Sequence, residues 1–225
     1  MQRRTIKSFV LRTGRVSNRQ QQGLDQWLPD YVMPKPESVW SLSTEFGRTA
    51  DTVVEIGFGM GASLLSMAKA RPDINFLGVE VHLAGIGSLA ADLHDEQINN
   101  VRVAPFDAVE VFTHSLADNS LAGVQVFFPD PWPKARHHKR RLIQAEFINM
   151  LVQKIKVGGF VHCATDWQNY AEHMHAVLSE QPALRNQNPD GDYVPRPDTR
   201  PLTKFEQRGE RLGHGVWDLV YIRKE

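Results

Sequence analysis

The sequence predicts an α/β fold: a doubly wound, mostly parallel sheet with helices on both faces and a final strand that is antiparallel. Three observations predict it. From Asp51 onward, short apolar runs alternate with segments of helical length, the pattern of parallel strands joined by crossover helices. The first run, Thr52-Val53-Val54-Glu55-Ile56, leads straight into Gly57-Phe58-Gly59-Met60-Gly61 and then a helical stretch, a strand-turn-helix unit. Acidic residues recur where successive strands should end, at Glu80 and Asp107 after the second and third, and at Asp130 after the fourth.

Taken in order, strands are expected at Thr52 to Ile56, Asn75 to Val79, Val101 to Ala104, Gly123 to Phe128 and Gly159 to Ala164. A last strand is expected at Val216 to Ile222. Helices are expected at Ala62 to Ala70, Leu83 to Glu96, Val109 to Leu116, Leu142 to Ile155 and Gln168 to Glu180. Residues 1–48 lack sustained periodicity and carry Gln20-Gln21-Gln22 and the proline-bearing Leu28 to Pro36. They read as a basic, partly flexible extension to a domain spanning 49–225. The proline-rich stretch Asn186 to Pro201 reads as a surface loop.

With 225 residues, one α/β core suffices, and 41% apolar and 23% charged residues place the chain among ordinary soluble globular proteins. The lone cysteine, Cys163, excludes an intrachain disulfide and suits a reducing compartment as core filler. No apolar run has membrane-spanning length, and MQRRTIKSFV lacks a signal-peptide centre, so a cytoplasmic location without a membrane partner is expected. Net charge is zero, yet cations cluster at Arg3, Arg4, Lys7, Arg12, Arg15 and Arg19, and again at Lys134, Arg136, Lys139, Arg140 and Arg141. Such clusters are either solvated surface or a footprint for phosphates.

The glycine turn at Gly57, Gly59 and Gly61 lets the backbone approach a ligand with no Cβ in the way. Its third glycine comes one residue earlier than in a dinucleotide-binding turn. Glu55 lies where a pyrophosphate would be repelled, so a cationic ligand fits better. S-adenosylmethionine, with its ammonium and sulfonium, is such a ligand. Glu80, about 20 residues beyond the turn, is placed to accept hydrogen bonds from ribose hydroxyls. Asp107 is either an adenine contact or a helix N-cap. In Phe127-Phe128-Pro129-Asp130-Pro131-Trp132-Pro133, three prolines fix a loop that places Asp130 toward the transferable methyl. Trp132 offers a flat face to a nucleobase.

The motifs EIGFGMG at Glu55 to Gly61, PDPWPKARHHKRR at Pro129 to Arg141 and RPDTRPLTKFEQRGERLGHGVWD at Arg196 to Asp218 resemble those of the bacterial tRNA (guanine-N7) methyltransferase family. The resemblance implies methyl transfer from S-adenosylmethionine to N7 of guanine 46 in the tRNA variable loop. It implies donor contacts at Glu55, Glu80, Asp107 and Asp130, with Asp130 also catalytic, and substrate contacts at Lys134, Asp166, Thr203, Lys204, Phe205 and Glu206. Guanine offers two adjacent donors that either Asp166 or Glu206 can accept; otherwise Glu206 is a helix-surface acid paired with Lys204 or Arg208. Arg136, Lys139, Arg140 and Arg141, beside the base pocket, are expected to bind RNA phosphates. DNA is not an expected partner, and monomer and homodimer remain equally compatible with the sequence. The histidines, including His137-His138 and His173-x-His175, lack metal-site spacing. The rival activities are methylation of an amino group by an Asp-Pro-Pro-aromatic type of loop, an inert RNA-binding scaffold, and, more distantly, hydride transfer.

Overall fold

The computed structural model describes residues 7–10, 14–202, 206 and 215–225. A seven-stranded sheet in the order β3-β2-β1-β4-β5-β7-β6 forms its centre. It comprises β1 (Thr52–Ile56), β2 (Asn75–Val79), β3 (Val101–Ala104), β4 (Leu121–Phe127), β5 (Ile155–Thr165), β6 (Leu184–Asn186) and β7 (Trp217–Arg223). The first five strands are mutually parallel, and β7 runs antiparallel to both β5 and β6. The connecting helices are α3 (Ala62–Ala70), α4 (Leu83–Asp95), α5 (Ala108–His114), α6 (Ala145–Lys154) and α7 (Gln168–Glu180), preceded by α1 (Asn18–Gln22) and α2 (Leu42–Phe46).

Every residue of β1 is buried because helices cover both faces of the sheet. Alternation along the strand then sends Val53 into the cluster that contains Leu64 and Leu89, and Val54 and Ile56 into the cluster with Leu151 and Met174. Strand order reverses between β1 and β4. The crevice beyond their carboxyl ends is therefore the ligand site of such a sheet.

The expected strands and helices from Thr52 onward all form, shifted by a few residues at their ends; β6 and the short N-terminal helices were absent from the sequence reading. The expected boundary at 48/49 is not a break in packing. Met33, Trp40 and Phe46 are core residues, and Val103 exchanges backbone hydrogen bonds with Tyr31 and Met33, which covers the edge of β3. Arg19, one of the N-terminal cations, donates to Asp92 and Asp95 of α4, each at 2.7 Å, and so ties α1 to the body. Cys163 is buried on β5, its thiol pushed up to about 12 by desolvation and then by nearby Asp218. Among the described residues no helix is long and apolar enough to cross a membrane.

Candidate active site

At the end of β1 the chain turns through Gly57 (φ +76°), Gly59 (φ +58°) and Gly61 (φ +86°), all in the left-handed region that side chains disfavour. The space where a Cβ would stand on Gly57 or Gly59 is open, which leaves their backbone exposed to a ligand. Glu80, at the tip of β2, fixes this loop. One of its oxygens accepts from Gly59 N–H at 3.0 Å, and the other accepts from Val81 and His82 N–H at 2.7 and 3.1 Å. Gly85 in α4 is the less obvious member of the set. A Cβ there would lie 1.9 Å from the Gly59 carbonyl oxygen, so the first turn of α4 presses directly on the loop.

Loop, strand tips and the chain near Ser8 enclose a cavity of about 300 Å³ bordered by Gly57, Gly59, Glu80, Asp107, Phe128 and Asp130. Glu55, next in the chain to the cavity-lining Ile56, is 2% exposed, with a buried Oε2 that has no hydrogen-bond partner. Desolvation, and then repulsion from Glu80, push its carboxyl up to about 8. A buried acid without a partner, beside a bare backbone cradle, fits a ligand that brings positive charge. Of the two readings of Asp107, the helix N-cap forms. It caps α5 through Val109 N–H at 3.1 Å, and it borders the cavity with Lys7 Nζ 3.5 Å from its other oxygen.

The opposite wall is the loop after β4. Phe128 (φ +50°) and Trp132 (φ +47°) sit in the left-handed region without being glycine, a strained pair that brackets Pro129-Asp130-Pro131. Asp130 is exposed and borders the cavity. Trp132 donates from Nε1 to the Ser8 carbonyl at 3.0 Å, and the Arg140 guanidinium lies 3.9 Å over its ring. Arg140 also donates to the carbonyls of Lys7 and Phe9, each at 3.3 Å, so the N-terminal chain forms part of the cavity wall. That role was not legible in a segment without periodicity.

The expected phosphate cluster divides in two. Lys134, Arg136 and Lys139 are exposed on the 3-10 segment Ala135–Arg140 or next to it. Arg141 is a correction: it is 3% exposed and donates to Pro131 O at 2.9 Å and to Asn169 Oδ1 at 2.7 Å, with its guanidinium 4.7 Å over Tyr170. It braces the loop from inside and cannot serve as a phosphate contact.

Asp166, after β5, is half-buried and lines a separate, open hollow with Trp167, Asn169 and Trp217 on the same edge of the sheet. Thr203, Lys204 and Phe205 lie outside the described residues. Glu206 is not the surface acid of one expectation. It is 3% exposed, and its two oxygens accept from Arg200 at 2.7 and 2.6 Å. Arg200 also donates to both oxygens of Asp218, which His162 reaches from the other side at 2.7 Å. Burial pushes the Asp218 carboxyl up, but the hydrogen bonds from His162 and Arg200 outweigh it and hold the group below the ordinary carboxylate value.

Comparison with known proteins adds to this geometry. A family model described as "Putative methyltransferase" matches residues 49–219. A tRNA (guanine-N7)-methyltransferase of Legionella pneumophila (strain Corby) is 66% identical over 98% of this chain and 99% of its own length. One of Shewanella halifaxensis is 55% identical over 98% of this chain and 93% of its own. Among solved structures, the 16S rRNA methyltransferase KamB superposes with a TM-score of 0.59 at 13% identity, covering 87% of this chain and 99% of that one. A 16S rRNA (adenine(1408)-N(1))-methyltransferase from Catenulisporales acidiphilia gives 0.57 at 15% identity, covering 86% and 93%. At those identities the likeness is one of fold.

Proposed function

The chain belongs to the tRNA (guanine-N7)-methyltransferase family, and from that premise we propose that it methylates guanine 46 of the tRNA variable loop, with Asp130 facing the base. It is an S-adenosylmethionine-dependent enzyme acting on a guanine N7 in tRNA. The single observation that supports the assignment of Asp130 is that it stands on the strained Phe128–Trp132 loop, bordering the same cavity as Gly57, Gly59 and Glu80.

S-adenosylmethionine supplies the methyl group on a sulfonium. Glu80 and the turn of Gly57, Gly59 and Gly61 would hold the ribose side of the donor, Asp107 would take the adenine, and the unpartnered oxygen of Glu55 would serve the positive charge of the methionyl part. Guanine N7 carries a free lone pair, so no proton leaves before attack and the protein's task is alignment. The base becomes cationic as the bond forms, and the Asp130 carboxylate stabilises that charge or orients the ring through a hydrogen bond. Asp166, open to the hollow at the end of β5, accepts from the donor edge of the guanine, with Thr203, Lys204 and Phe205 completing the substrate contacts. Lys134, Arg136 and Lys139 form the phosphate-facing rim. Action on tRNA supports a cytoplasmic location.

The test is to incubate the protein with unmodified tRNA and labelled donor, then map the modified nucleoside. 7-Methylguanosine at position 46 is expected, and label on an adenine or another guanine would overturn the assignment. Asp130→Asn at saturating donor should lower turnover by about 100-fold, the scale of losing one aligned electrostatic group; near-normal turnover removes Asp130 from the chemistry.

A further inference from the structure

Arg200 is the bulkiest fully buried side chain among the described residues, 1% exposed, yet it lies in a stretch outside every helix and strand. Burying a guanidinium is unfavourable unless its N–H groups find acceptors, and an apolar side chain would fill the same volume without that demand. Here four of its five N–H groups find carboxylate acceptors. Nε and Nη2 donate to the two oxygens of Asp218 at 2.7 and 2.8 Å, and Nη1 and Nη2 donate to those of Glu206 at 2.7 and 2.6 Å.

The position of this plate explains its use. Its guanidinium carbon lies 5.5 Å from the Phe128 ring centre and 5.9 Å from that of Phe127. These are the residues from which the Asp130 loop departs. Phe128 is itself strained, with φ +50°, its N–H donates to Ala164 O at 2.8 Å, and it borders the donor cavity. The chain carrying Arg200 is fastened in turn, through Val194 paired with Asp218 and through Arg196 Nη1 donating to Arg200 O at 2.9 Å. A left-handed phenylalanine persists only where its surroundings over-determine it. The cationic plate beneath the two rings supplies that constraint.

We propose that Arg200 is a positioning residue for methyl transfer: held by Asp218 and Glu206, its guanidinium supports Phe127 and Phe128 and thereby fixes Pro129-Asp130 at the cavity, so that Glu206 acts through Arg200 instead of reading the base. The inference rests on Asp130 facing the target base.

Full-length Arg200→Met, Arg200→Lys and Glu206→Gln are compared with wild type for donor affinity by calorimetry, for tRNA KM and kcat, and for guanine over adenine preference. Arg200→Met should lose about 100-fold in kcat, because a shift of about 1 Å at a reacting group is felt on that scale. Glu206→Gln should lose about tenfold, with Arg200→Lys in between, while donor affinity stays within about threefold and base preference is unchanged, as expected when only alignment fails. A role in stability alone would instead lower donor affinity and kcat together with the melting temperature, and that result overturns the proposal. So does full kcat in folded Arg200→Met, or a Glu206→Gln variant that raises tRNA KM at normal kcat or accepts adenine. Should Arg200→Met not fold, Glu206→Gln decides alone. Failure of wild type to methylate tRNA would overturn the function itself, whereas the variant-to-wild-type ratios test the network.

Discussion

The two walls of the cavity, the glycine-turn wall proposed to hold the donor and the Asp130-loop wall proposed to hold the acceptor base, are built by different means. The donor wall is local: a strand tip, a glycine turn and a carboxylate that caps three backbone N–H groups, with most members within one βαβ unit. The acceptor wall is assembled from afar. Its strained loop is braced by Arg141 from within, covered by the chain near Ser8 and underlaid by Arg200 from beyond α7. A backbone cradle suits a donor bound in one way every time. A loop that must hold a base delivered by RNA needs its conformation imposed from several sides.

The sharpest break of this contrast is Arg141→Met. It leaves the Pro131 carbonyl and Asn169 without their charged donor inside the protein, and stability should fall by about 4 kcal/mol. For a chain of this size that corresponds to a melting point lower by roughly 10 °C, read by calorimetry; an unchanged melting point would show that the loop is held elsewhere. On the donor wall the corresponding change is electrostatic. The Glu55 carboxyl titrates at about 8 in the folded protein against an ordinary value of 4.5, so the folded state binds more protons than the unfolded between these limits. Stability of the donor-free protein therefore declines as pH rises from about 4.5 to about 8 and levels off above. Glu55→Gln removes that decline and should be more stable than wild type at high pH, while binding the donor more weakly. Parallel stability curves in denaturant melts from low to high pH would reject the assignment. The smallest effect belongs to the rim. Replacing Lys134, Arg136 and Lys139 together by Gln should flatten the slope of log affinity for tRNA against log salt by about 2 to 3, roughly one per lost phosphate contact. An unchanged slope would move the RNA path away from this rim.

Much of the donor wall was legible because its determinants are adjacent in the chain. Glycines in a strand-turn-helix context and acids at strand tips are patterns of residue type and spacing. Gly85 escaped notice because a glycine inside a helix reads only as a weak helix former, and its use lies in a contact with Gly59. The acceptor wall misled more often. Arg140 and Arg141 are neighbours in a cationic run, yet one lies over Trp132 and the other is buried under the loop. A run of charge says nothing about which member turns inward. From the sequence Glu206 reads either as a base contact or as a surface helix acid, because its partner, Arg200, is identifiable only when both are seen to be enclosed with Asp218. Likewise Tyr31 and Met33 lie in a segment without periodicity, and it is the edge of β3 that gives them structure.

By itself the sequence determined the parallel sheet, the glycine turn and the set of carboxylates at the strand tips, because apolar periodicity and backbone sterics act over a few residues. Only the tertiary structure decided which cations face solvent, which acid is enclosed and what covers the cavity. Burial and ion pairing depend on which distant segments come together, and that is a property of the folded chain.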